Sequence, residues 1–530
     1  MKGDFSRDSF DAKHHFSRVL LQQGRVTLDA DPNEQADILL HCLRTLARDL
    51  IGAWAGPSDA LGFELLLDTT TDPAHPTLSV SAGRYYVDGI LVENDAACDY
   101  ARQPDATPPA SDALLQRLAS QLDGDVWVYL DVWERHVSWI EDDAIREPAL
   151  GGPDTCTRTK VVWQLRSVAR ETLLASLKAR LKVAQARLKA AVSAKDAVPV
   201  KALTAWVDRL KASSAVLGAA GPERNDCAAP LAALEGLADL DVARLAARLD
   251  PGQQIKDPCV LSPDALYRGV ENQLYRVEVH HGNADSDSNA AGASGVERSP
   301  TFKWSRDNGS VATRWLGTHG KDLIVANARG FSANTWVELS DDTTDLQGGP
   351  GVLVRLVKVE GDRLSVDAET LSPLALTPAM RNPKVRRWDQ RDSGDIQLDA
   401  GAVPVREASA TDPAWCDLED GIQVQFSAGG RYRSGDYWLI PARVATGDID
   451  WPRRVDGEVT SWQLQPPHGV EHHHAPLGFV GLDAAGVLAA TPCLCTIEPI
   501  RQCGAARAVN AGPADKLGDR LKPAGANRPK

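Results

Sequence analysis

Four histidines near residue 470 are the side chains best suited to bind a metal ion. They are His468, His472, His473 and His474. Imidazole binds Zn²⁺ or Fe²⁺ well, and alternate residues of a strand point to one face, so His472 and His474 would share a side. Glu471 offers a carboxylate. The spacing indicates a Zn²⁺ or Fe²⁺ site at His472 and His474, or else a surface or loop-packed histidine cluster after Pro466-Pro467, which we favour.

The nine cysteines are scattered and odd in number, which is not the pattern of a disulfide framework. Only Cys493, Cys495 and Cys503 lie close together. A Cys-x-Cys pair is a weaker metal pattern than two Cys-x-x-Cys pairs. We therefore interpret these residues as reduced thiols, and a metal site is the alternative.

Two acidic clusters could attract Ca²⁺, which prefers carboxylate and carbonyl oxygens. The first is Glu141-Asp142-Asp143, and the second is Asp341-Asp342 with Asp345. Neither fits the twelve-residue calcium-loop pattern. Solvated loops are the favoured interpretation of both clusters.

The passage Trp304-Ser305-Arg306-Asp307-Asn308-Gly309 invites two interpretations. Arg306 and Asp307 could bind a substrate. Alternatively Asp-Asn-Gly forms a β-turn, in which Gly309 adopts positive φ and Trp304 fills a core. We favour the turn, because the sequence has neither a Gly-x-Ser-x-Gly nucleophile elbow nor a phosphate loop ending in Lys-Ser/Thr. No enzyme is predicted.

The elements that must position these residues are mostly strands. Runs rich in β-formers, separated by Gly and Asp turns, predict strands in two long regions. An Asp88-Gly89 turn lies inside one of them. The predicted strands are Thr77–Val80, Arg84–Val92, Asp125–Trp133, Thr159–Arg166, Gln273–His280, Thr301–Ser305, Leu323–Ala326, Trp336–Leu339, Val352–Val359, Ile422–Phe426 and Tyr437–Pro441.

Helical spacing appears near the start of the chain. Pro32–Trp54 is predicted as a helix because Asp31 suits the N-cap and Pro32 the first turn. Its apolar residues recur at helical intervals, and Gly56-Pro57 should end it. A short helix is expected within residues 104–122.

A second helical region interrupts the strands. Its apolar residues are spaced 3, 4, 3, 4, 3, which is a seam of about three heptads. These are Leu174, Leu177, Leu181, Ala184, Leu188 and Ala191. Pro199 breaks the pattern and Lys201–Ser213 resumes it, which predicts an inserted helical hairpin. Such a short seam needs a partner. The return helix is favoured over a neighbouring subunit.

Charge and composition exclude several classes of function. The chain has 530 residues, 58 basic and 72 acidic, and a formal charge of −14. This charge opposes nucleic acid and anionic membranes as general partners.

No signal peptide or membrane span is evident, so we expect cytoplasmic synthesis. A particle released by lysis needs no signal peptide, so an extracellular destination stays open.

Five passages resemble a known bacterial family. The first begins Phe16-Ser17-Arg18-Val19-Leu20-Leu21-Gln22-Gln23-Gly24-Arg25 and continues to Gln35. The other four are Glu147-Pro148-Ala149-Leu150-Gly151-Gly152-Pro153-Asp154-Thr155 with Val162-Trp163-Gln164, Tyr267-Arg268-Gly269-Val270-Glu271-Asn272-Gln273-Leu274-Tyr275-Arg276-Val277-Glu278-Val279-His280, Phe302-Lys303-Trp304-Ser305-Arg306-Asp307-Asn308-Gly309-Ser310, and Gly435-Asp436-Tyr437-Trp438-Leu439-Ile440-Pro441-Ala442-Arg443.

These passages are similar to a family of unknown function that is encoded near baseplate genes of phage tails and contractile injection systems. The resemblance covers roughly residues 1–480, apart from the helical insertion, and implies a particle context rather than an activity. The chain departs from it at Pro32, where relatives usually have an aromatic residue. The segment Gly83–Glu93 also resembles a glycine-aromatic hairpin common in baseplate and tail-fibre proteins.

We predict an α+β fold, mainly antiparallel β and multidomain, with the inserted helical hairpin. The predicted units are an N-terminal docking arm and helix (1–60), a β domain (61–170), the hairpin insertion and linker (171–260), a second β domain (261–400), a C-terminal β domain (401–503) and a disordered tail (504–530).

The resulting hypothesis is a structural component of a phage-tail-like contractile particle, associated with its baseplate or tail fibre and acting by docking to baseplate or tail proteins. An arm with few core-forming residues must gain order from a partner. The predicted docking residues are Phe16, Arg18, Gln22, Gln23, Arg25 and Asp29.

Two alternatives stay open. The fourteen tryptophans could include exposed ones that stack on sugars, which would make the chain a carbohydrate-binding receptor module. A glycan-degrading enzyme would need two carboxylates in one cleft. A homo-oligomer is compatible with the structural, carbohydrate-binding and enzyme hypotheses alike. No nucleic acid, membrane insertion or cofactor is expected, apart from the metal interpretation of His472 and His474.

Overall fold

The computed structural model describes most of the chain. The described residues are 1–120, 124–152, 154–193, 197–218, 227, 230, 232, 242–251, 266–283, 299–370, 380–392, 396–409, 411–456 and 459–498. The predicted tail 504–530 lies outside them, as do most of the predicted linker and of the loop between residues 282 and 299.

Strands outnumber helices in the described residues. The α-helices are α1 (Ala30–Ile51), α2 (Ala113–Leu118), α3 (Arg170–Ser193), α4 (Ala197–Gly218) and α5 (Asp342–Leu346). The strands are β1 (Trp54–Pro57), β2 (Leu65–Asp68), β3 (Thr77–Val80), β4 (Gly83–Val87), β5 (Ile90–Asn94), β6 (Cys98–Asp99), β7 (Val126–Val137), β8 (Arg158–Ala169), β9 (Leu245–Leu249), β10 (Gln273–His281), β11 (Thr301–Ser305), β12 (Ala312–His319), β13 (Asp322–Val325), β14 (Trp336–Ser340), β15 (Val352–Glu360), β16 (Arg363–Val366), β17 (Lys384–Trp388), β18 (Val403–Pro404), β19 (Cys416–Asp417), β20 (Ile422–Phe426), β21 (Tyr437–Arg443), β22 (Asp448–Ile449), β23 (Arg453–Asp456), β24 (Val459–Trp462), β25 (His472–Leu482), β26 (Leu488–Pro492) and β27 (Thr496–Ile497).

Helix α1 begins and ends two to three residues earlier than predicted. Asp29, rather than Asp31, occupies the N-cap position, and Asp31 accepts a hydrogen bond from the backbone N–H of Leu28. Pro32 is tolerated because N–H groups of a first turn have no intrahelical acceptor. The helix ends before Gly52, whose φ is +93°.

The predicted Asp-Gly hairpin is confirmed. Strands β4 and β5 pair with Val87 opposite Ile90, which leaves Asp88 and Gly89 as a two-residue turn. Both residues have positive φ, 49° and 81°, as this type of turn requires. A Cβ at Gly89 would collide with the backbone carbonyl of Arg44, so the turn lies directly against α1.

The first structural unit combines strands from both ends of the chain. Its largest sheet has the order β26-β25-β7-β8, and β7 pairs with β8 over twelve residue pairs. On its other side β7 pairs with β25, with Trp133 opposite His472. Smaller sheets β27-β1-β4-β5 and β2-β3-β6 share the same apolar core.

A second unit is built from residues that precede and follow the barrel strands (β12 to β17) in the sequence. Its sheets have the orders β18-β11-β10-β21-β22 and β19-β20-β9, and they enclose a core rich in aromatic residues. The third unit is a closed six-stranded antiparallel barrel with the order β12-β13-β16-β15-β14-β17. Its apolar interior forms a separate cluster.

The three units are therefore nested along the chain. The barrel lies between the two parts of the second unit, and the second unit lies between the two parts of the first. Strands therefore pair across the predicted domain boundaries near residues 260 and 400. In particular, β25 to β27 join the sheets of residues 54–169 and do not form a separate C-terminal domain. The mainly antiparallel β class is as predicted.

Helices α3 and α4 pack against each other beside the first unit. Leu177 and Ala184 of the predicted seam are fully buried against Trp206 and Leu210 of α4. Pro199 lies in the first turn of α4, where proline is tolerated.

In the part of the chain that the structure describes, none of the helices combines the length and the apolar character needed to cross a membrane.

Candidate docking surface

The first 29 residues, here called the arm, run over the surface of the protein. From Ala12 to Leu28 the arm has three basic residues and no acidic one, in a chain of net charge −14. This stretch also carries large apolar side chains that are exposed. These are Phe16, Leu20, Leu21, Val26 and Leu28. A basic and apolar segment on an acidic protein has the composition of an interaction surface.

Both ends of the arm are held by the body of the protein. At its start, the Lys2 ammonium lies 2.8 Å from the carboxylate of Glu278, and the Gly3 carbonyl accepts a hydrogen bond from the Asn308 amide at 3.0 Å. Towards α1, the Ser9 hydroxyl donates to Glu34 at 2.6 Å. The exposed stretch from Ala12 to Leu28 follows these contacts and is held to α1 through the Val19 N–H, which donates to the Gln35 side chain at 2.9 Å, and the Leu28 N–H, which donates to Asp31 at 2.9 Å.

The start of the arm enters a buried ion-pair network between the second unit and the barrel. Lys303 lies 3.3 Å from Glu278 and 2.5 Å from Glu338, and Arg276 lies 2.6 Å from Glu278. Burial alone would raise the pKa of Glu338, but Lys303 and Lys2 lower it to about 2. The same lysines and Arg276 hold the pKa of Glu278 well below its usual value. The carboxylates are therefore ionised and paired.

The structure places all six predicted docking residues on the arm surface. All six are exposed, and Asp29, at the N-cap position of α1, accepts a hydrogen bond from the backbone N–H of Ser6 at 2.8 Å. Burial would raise the pKa of Asp29, but the hydrogen bonds from Ser6 lower it overall. Asp29 thus fixes the path of the arm, and the docking roles of all six residues stay predictions. The predicted set omits the exposed Leu20 and Leu21, which lie between Arg18 and Gln22.

Helix α1 continues the exposed apolar surface. Four leucines point away from the body and are 54%, 61%, 56% and 74% exposed: Leu39, Leu43, Leu46 and Leu50. We call them the leucine stripe. On the inner side, Ile38 is buried and Arg44 makes a two-pronged ion pair with Glu134, at 2.8 and 2.9 Å. The outward face is thus more apolar than a solvent-facing helix requires.

The histidine cluster has a carboxylate partner that the sequence did not reveal. His472 and His474 share one face of β25, as predicted, and both face Asp131 of β7, at 2.7 and 3.6 Å. Arg166 binds the other oxygen of Asp131 at 2.8 Å. Burial would raise the pKa of Asp131, but His472, Arg166 and His474 hold it well below its usual value.

This arrangement accounts for the histidines without a metal ion. His473 points to the opposite side and lies 3.0 Å from Asp88 of the hairpin turn. The rings of His472 and His474 stack with centroids 6.5 Å apart. Two imidazoles that share one Zn²⁺ each bind it at about 2.0–2.1 Å, so their nitrogens must lie close together. Stacked rings at the observed separation favour a larger distance between the nitrogens. Metal binding by His472 and His474 stays a prediction.

The two acidic loops meet around a buried lysine. Carboxylate oxygens of Glu141, Asp342 and Asp345 lie within 4.8 Å of one another. Lys384 lies 2.7 Å from Glu141 and 2.5 Å from Asp345, and Arg135 lies 2.5 Å from Asp342. Burial raises the pKa of Glu141, but Lys384 outweighs it and the pKa falls to about 2. Glu141, Asp342 and Asp345 thus form an internal ion-pair network, whereas Asp142 and Asp143 are exposed, as the favoured solvated loop predicts.

One cysteine prediction is wrong. Cys493 forms a disulfide with Cys227, 266 residues away in sequence, and is therefore neither a reduced thiol nor a metal ligand. The bonded pair packs near Trp127 and Phe479 of the first unit. Cys495 is a free, exposed thiol. The separation is so long that only the fold brings the two sulfurs together.

An open cavity lies beside the arm, and another lies next to it, since both are lined by Pro467 and His468. One of about 680 Å³ lies between Phe16 and His14 of the arm and the body residues Trp451, Pro466 and Pro467. The other, of about 350 Å³, is lined by two carboxylates, two arginines and a histidine. These are Asp436, Glu471, Arg431, Arg433 and His468. Both cavities bring carboxylates together, as the enzyme alternative requires: Asp436 and Glu471 line the second, and Asp8, Glu34 and Asp450 line the first.

A family comparison covers almost all of the chain. Residues 1–529 match a family described as "Family of unknown function (DUF6519)". The chain belongs to this family. No curated protein matches its sequence.

Solved structures add little to the family assignment. A crystal structure of TssK is 10% identical, with a TM-score of 0.15, and the match covers 77% of this chain and 98% of that one. The baseplate complex from the type VI secretion system is 13% identical, with a TM-score of 0.16 and the same coverage. TM-scores this low establish no shared fold and carry no argument about function.

The passage around Arg306 is a structural element of this DUF6519 protein. Asn308 and Gly309 have φ of 50° and 63°, as the predicted turn requires. Arg306 lies 2.7 Å from Glu419, and Asp307 pairs with Arg387. These side chains bind each other, and the turn holds Gly3 of the arm through Asn308.

All fourteen tryptophans lie in described residues, and none of them is exposed. Three half-buried ones are covered by arginines: Trp139 by Arg146, Trp415 by Arg248 and Trp462 by Arg453. An exposed tryptophan platform for sugars is therefore missing from this protein.

Proposed function

We propose that this protein is a non-catalytic structural component of a phage-tail-like contractile particle and docks to other particle proteins through its arm. The family resemblance supports the particle context. The arm supports the mode of action, because five large apolar side chains stay exposed on a segment whose backbone is hydrogen-bonded to α1. This exposed apolar segment is the observation that carries the proposal.

Energetics make the arm a competent docking element. Fully burying one leucine side chain is worth roughly 1.5–3 kcal/mol, so Leu20 and Leu21 alone would contribute several kcal/mol to a complex. Because Lys2 and Ser9 already fix the arm, less conformational entropy is lost on docking than for a free peptide. The basic charge of the arm favours a partner surface with carboxylates around an apolar groove.

The test uses point variants, because a deletion of residues 1–30 would also leave Glu278 without Lys2. Leu20→Asp with Leu21→Asp is made in cells that assemble the particle, and purified particles are probed for the protein. We expect at least about a tenfold loss from particles, since about 1.4 kcal/mol corresponds to tenfold.

The matched control is Leu482→Asp, which changes a leucine that is 58% exposed at the far end of β25. It should leave incorporation unchanged. Circular dichroism of both purified variants should match the parent chain, because the altered side chains are exposed. Normal incorporation of a folded arm variant would refute docking through the arm.

The enzyme alternative has its own test at the 350 Å³ cavity. Purified protein is incubated with bacterial polysaccharides and the release of reducing ends is measured. We expect no release. Turnover that disappears in Asp436→Asn or Glu471→Gln would replace the structural proposal with a glycan-degrading one.

A further inference from the structure

The leucine stripe of α1 is an exposed apolar surface that the arm does not explain. Its members are more than half exposed, whereas the inner face of α1 carries Asp37, Ile38 and Arg44. A helix at a protein surface normally turns its apolar face inward. The reversed pattern indicates that another surface covers the outward face.

The spacing of the stripe suits a second copy of the same helix. The intervals from Leu39 to Leu50 are 4, 3 and 4 residues, which is the a/d pattern of a coiled coil. These intervals are the same in either direction. Two antiparallel copies can therefore align Leu39 with Leu50 and Leu43 with Leu46 of the second copy, in a self-complementary two-fold contact.

Charge along the helix selects the antiparallel direction. The first turns of α1 carry three acidic residues and no basic one: Asp31, Glu34 and Asp37. In the later turns Arg44 is paired with Glu134 on the inner side, whereas Arg48 is 62% exposed and lies 3.5 Å from Asp88. Antiparallel copies oppose the two helix dipoles and place the acidic first turns of each helix beside the exposed Arg48 of the other, whereas parallel copies would bring the acidic ends together.

We propose that α1 joins two copies of this chain as an antiparallel helix pair through Leu39, Leu43, Leu46 and Leu50. This contact uses a different surface from the arm, and it stands or falls independently of the proposed function.

The first experiment measures mass by sedimentation equilibrium over a range of concentrations. The parent chain is expected to form a dimer. Leu43→Glu with Leu46→Glu should raise the dimer dissociation constant by a factor on the order of a hundred or more, because each change occurs twice in a two-fold contact. Leu482→Glu is the control and should not change it.

Folding of the variants is checked by their thermal melts, which should match the parent because the stripe is exposed in the single chain. A parent chain that stays monomeric at all concentrations would overturn the proposal. So would an oligomer that Leu43→Glu with Leu46→Glu leaves intact.

The second experiment fixes the direction of the pair. The exposed thiols Cys42, Cys156 and Cys495 are first replaced by serine. A Leu39→Cys chain and a Leu50→Cys chain of different tag lengths are then mixed and oxidised. The antiparallel pair predicts a disulfide between the two different chains, and none between two copies of Leu39→Cys.

A disulfide between two Leu39→Cys copies would require parallel helices and overturn the proposal. Failure of the mixed chains to cross-link would overturn it as well. Particle incorporation of Leu43→Glu with Leu46→Glu is followed in the same cells as the arm variants. Loss of the dimer with normal incorporation, or the reverse, separates this contact from arm docking.

Discussion

Buried charge is the main feature at the scale of single residues. Glu338 accepts hydrogen bonds from Lys303, the Gly351 N–H and the Trp388 indole, at 2.5, 2.9 and 2.9 Å. A buried carboxylate is stable only when its oxygens are matched in this way. Removing one member leaves the opposite charge unpaired, which costs more than the pair itself contributes.

Glu338→Gln should therefore lower the free energy of unfolding by about 3–5 kcal/mol, since buried Lys303 would keep only Glu278, which Lys2 and Arg276 already share. Urea unfolding followed by tryptophan fluorescence measures this loss. Glu360→Gln is the matched control, because Glu360 pairs with Lys358 at the exposed surface and should change stability by less than about 1 kcal/mol. Equal losses of unfolding free energy in Glu338→Gln and Glu360→Gln would contradict the assignment of Glu338 to a buried ion-pair network.

Stability should also fall in mild acid because of His280. Burial, with Lys303 nearby, lowers the pKa of His280 from 6.5 to about 3. Below pH 6.5 the unfolded chain gains a proton that the folded chain does not bind, so stability decreases as the pH falls from about 6.5 to 3. Glu338, with its pKa of about 2, adds to this loss below about pH 4.5.

In melting temperatures recorded between pH 7.5 and 4, His280→Gln should give a smaller slope below pH 6.5 than the parent chain. Exposed His75→Gln should leave the slope unchanged. An unchanged slope in His280→Gln would show that the protonation of other groups dominates.

At the scale of elements, local patterns predicted local structure. The Asp88-Gly89 turn, the strands on either side of it and helix α1 follow from residues close together in sequence. Strand β10 shows the limit. Its alternating Arg276, Glu278 and His280 suggest a solvent-facing side, yet both faces are buried, because the arm and the barrel cover the charged one. Partners that are hundreds of residues away leave no local signal.

The candidate docking surface, like the fold, was predictable from the sequence only where it depends on residues close together in the chain. The sequence predicted an exposed arm between Phe16 and Asp29, because that stretch lacks core-forming periodicity. It did not predict that Lys2 is fixed in a buried network, or that Asp131 accompanies His472, because both depend on long-range pairing. The leucine spacing of α1 was visible, but which face of the helix it occupied was not.

Gly89→Ala tests how the hairpin positions α1. The added Cβ would meet the Arg44 carbonyl and would hold an alanine at positive φ, so we expect a loss of about 1–3 kcal/mol in unfolding free energy. Gly361 also has positive φ, but it faces open space. Gly361→Ala should therefore cost about 1 kcal/mol or less. If Gly89→Ala lowers the unfolding free energy no more than Gly361→Ala does, α1 can move away from the added Cβ.

At the scale of the whole molecule, long-range links close the first unit. The Cys227–Cys493 disulfide ties the helical region to the last strands, and β25 completes the central sheet beside β7. Cross-links over such long separations act mainly by restricting the unfolded chain.

Cys227→Ser should therefore lower the free energy of unfolding by about 2–5 kcal/mol, and a reducing agent should have the same effect on the parent chain. Guanidinium unfolding with and without dithiothreitol provides the measurement. Cys156→Ser, at an exposed thiol, should change neither value. A parent chain insensitive to reduction would argue against the disulfide.

The nested order of the units also constrains how the protein is made. A ribosome releases the barrel strands, residues 312–388, as one uninterrupted stretch, so the innermost unit can fold while translation continues. The outermost unit cannot, because β7 leaves the ribosome more than 300 residues before its neighbour β25. Until β25 emerges, one edge of β7 is open and offers its unpaired backbone groups to other nascent chains, so this interval is when the protein most needs a chaperone.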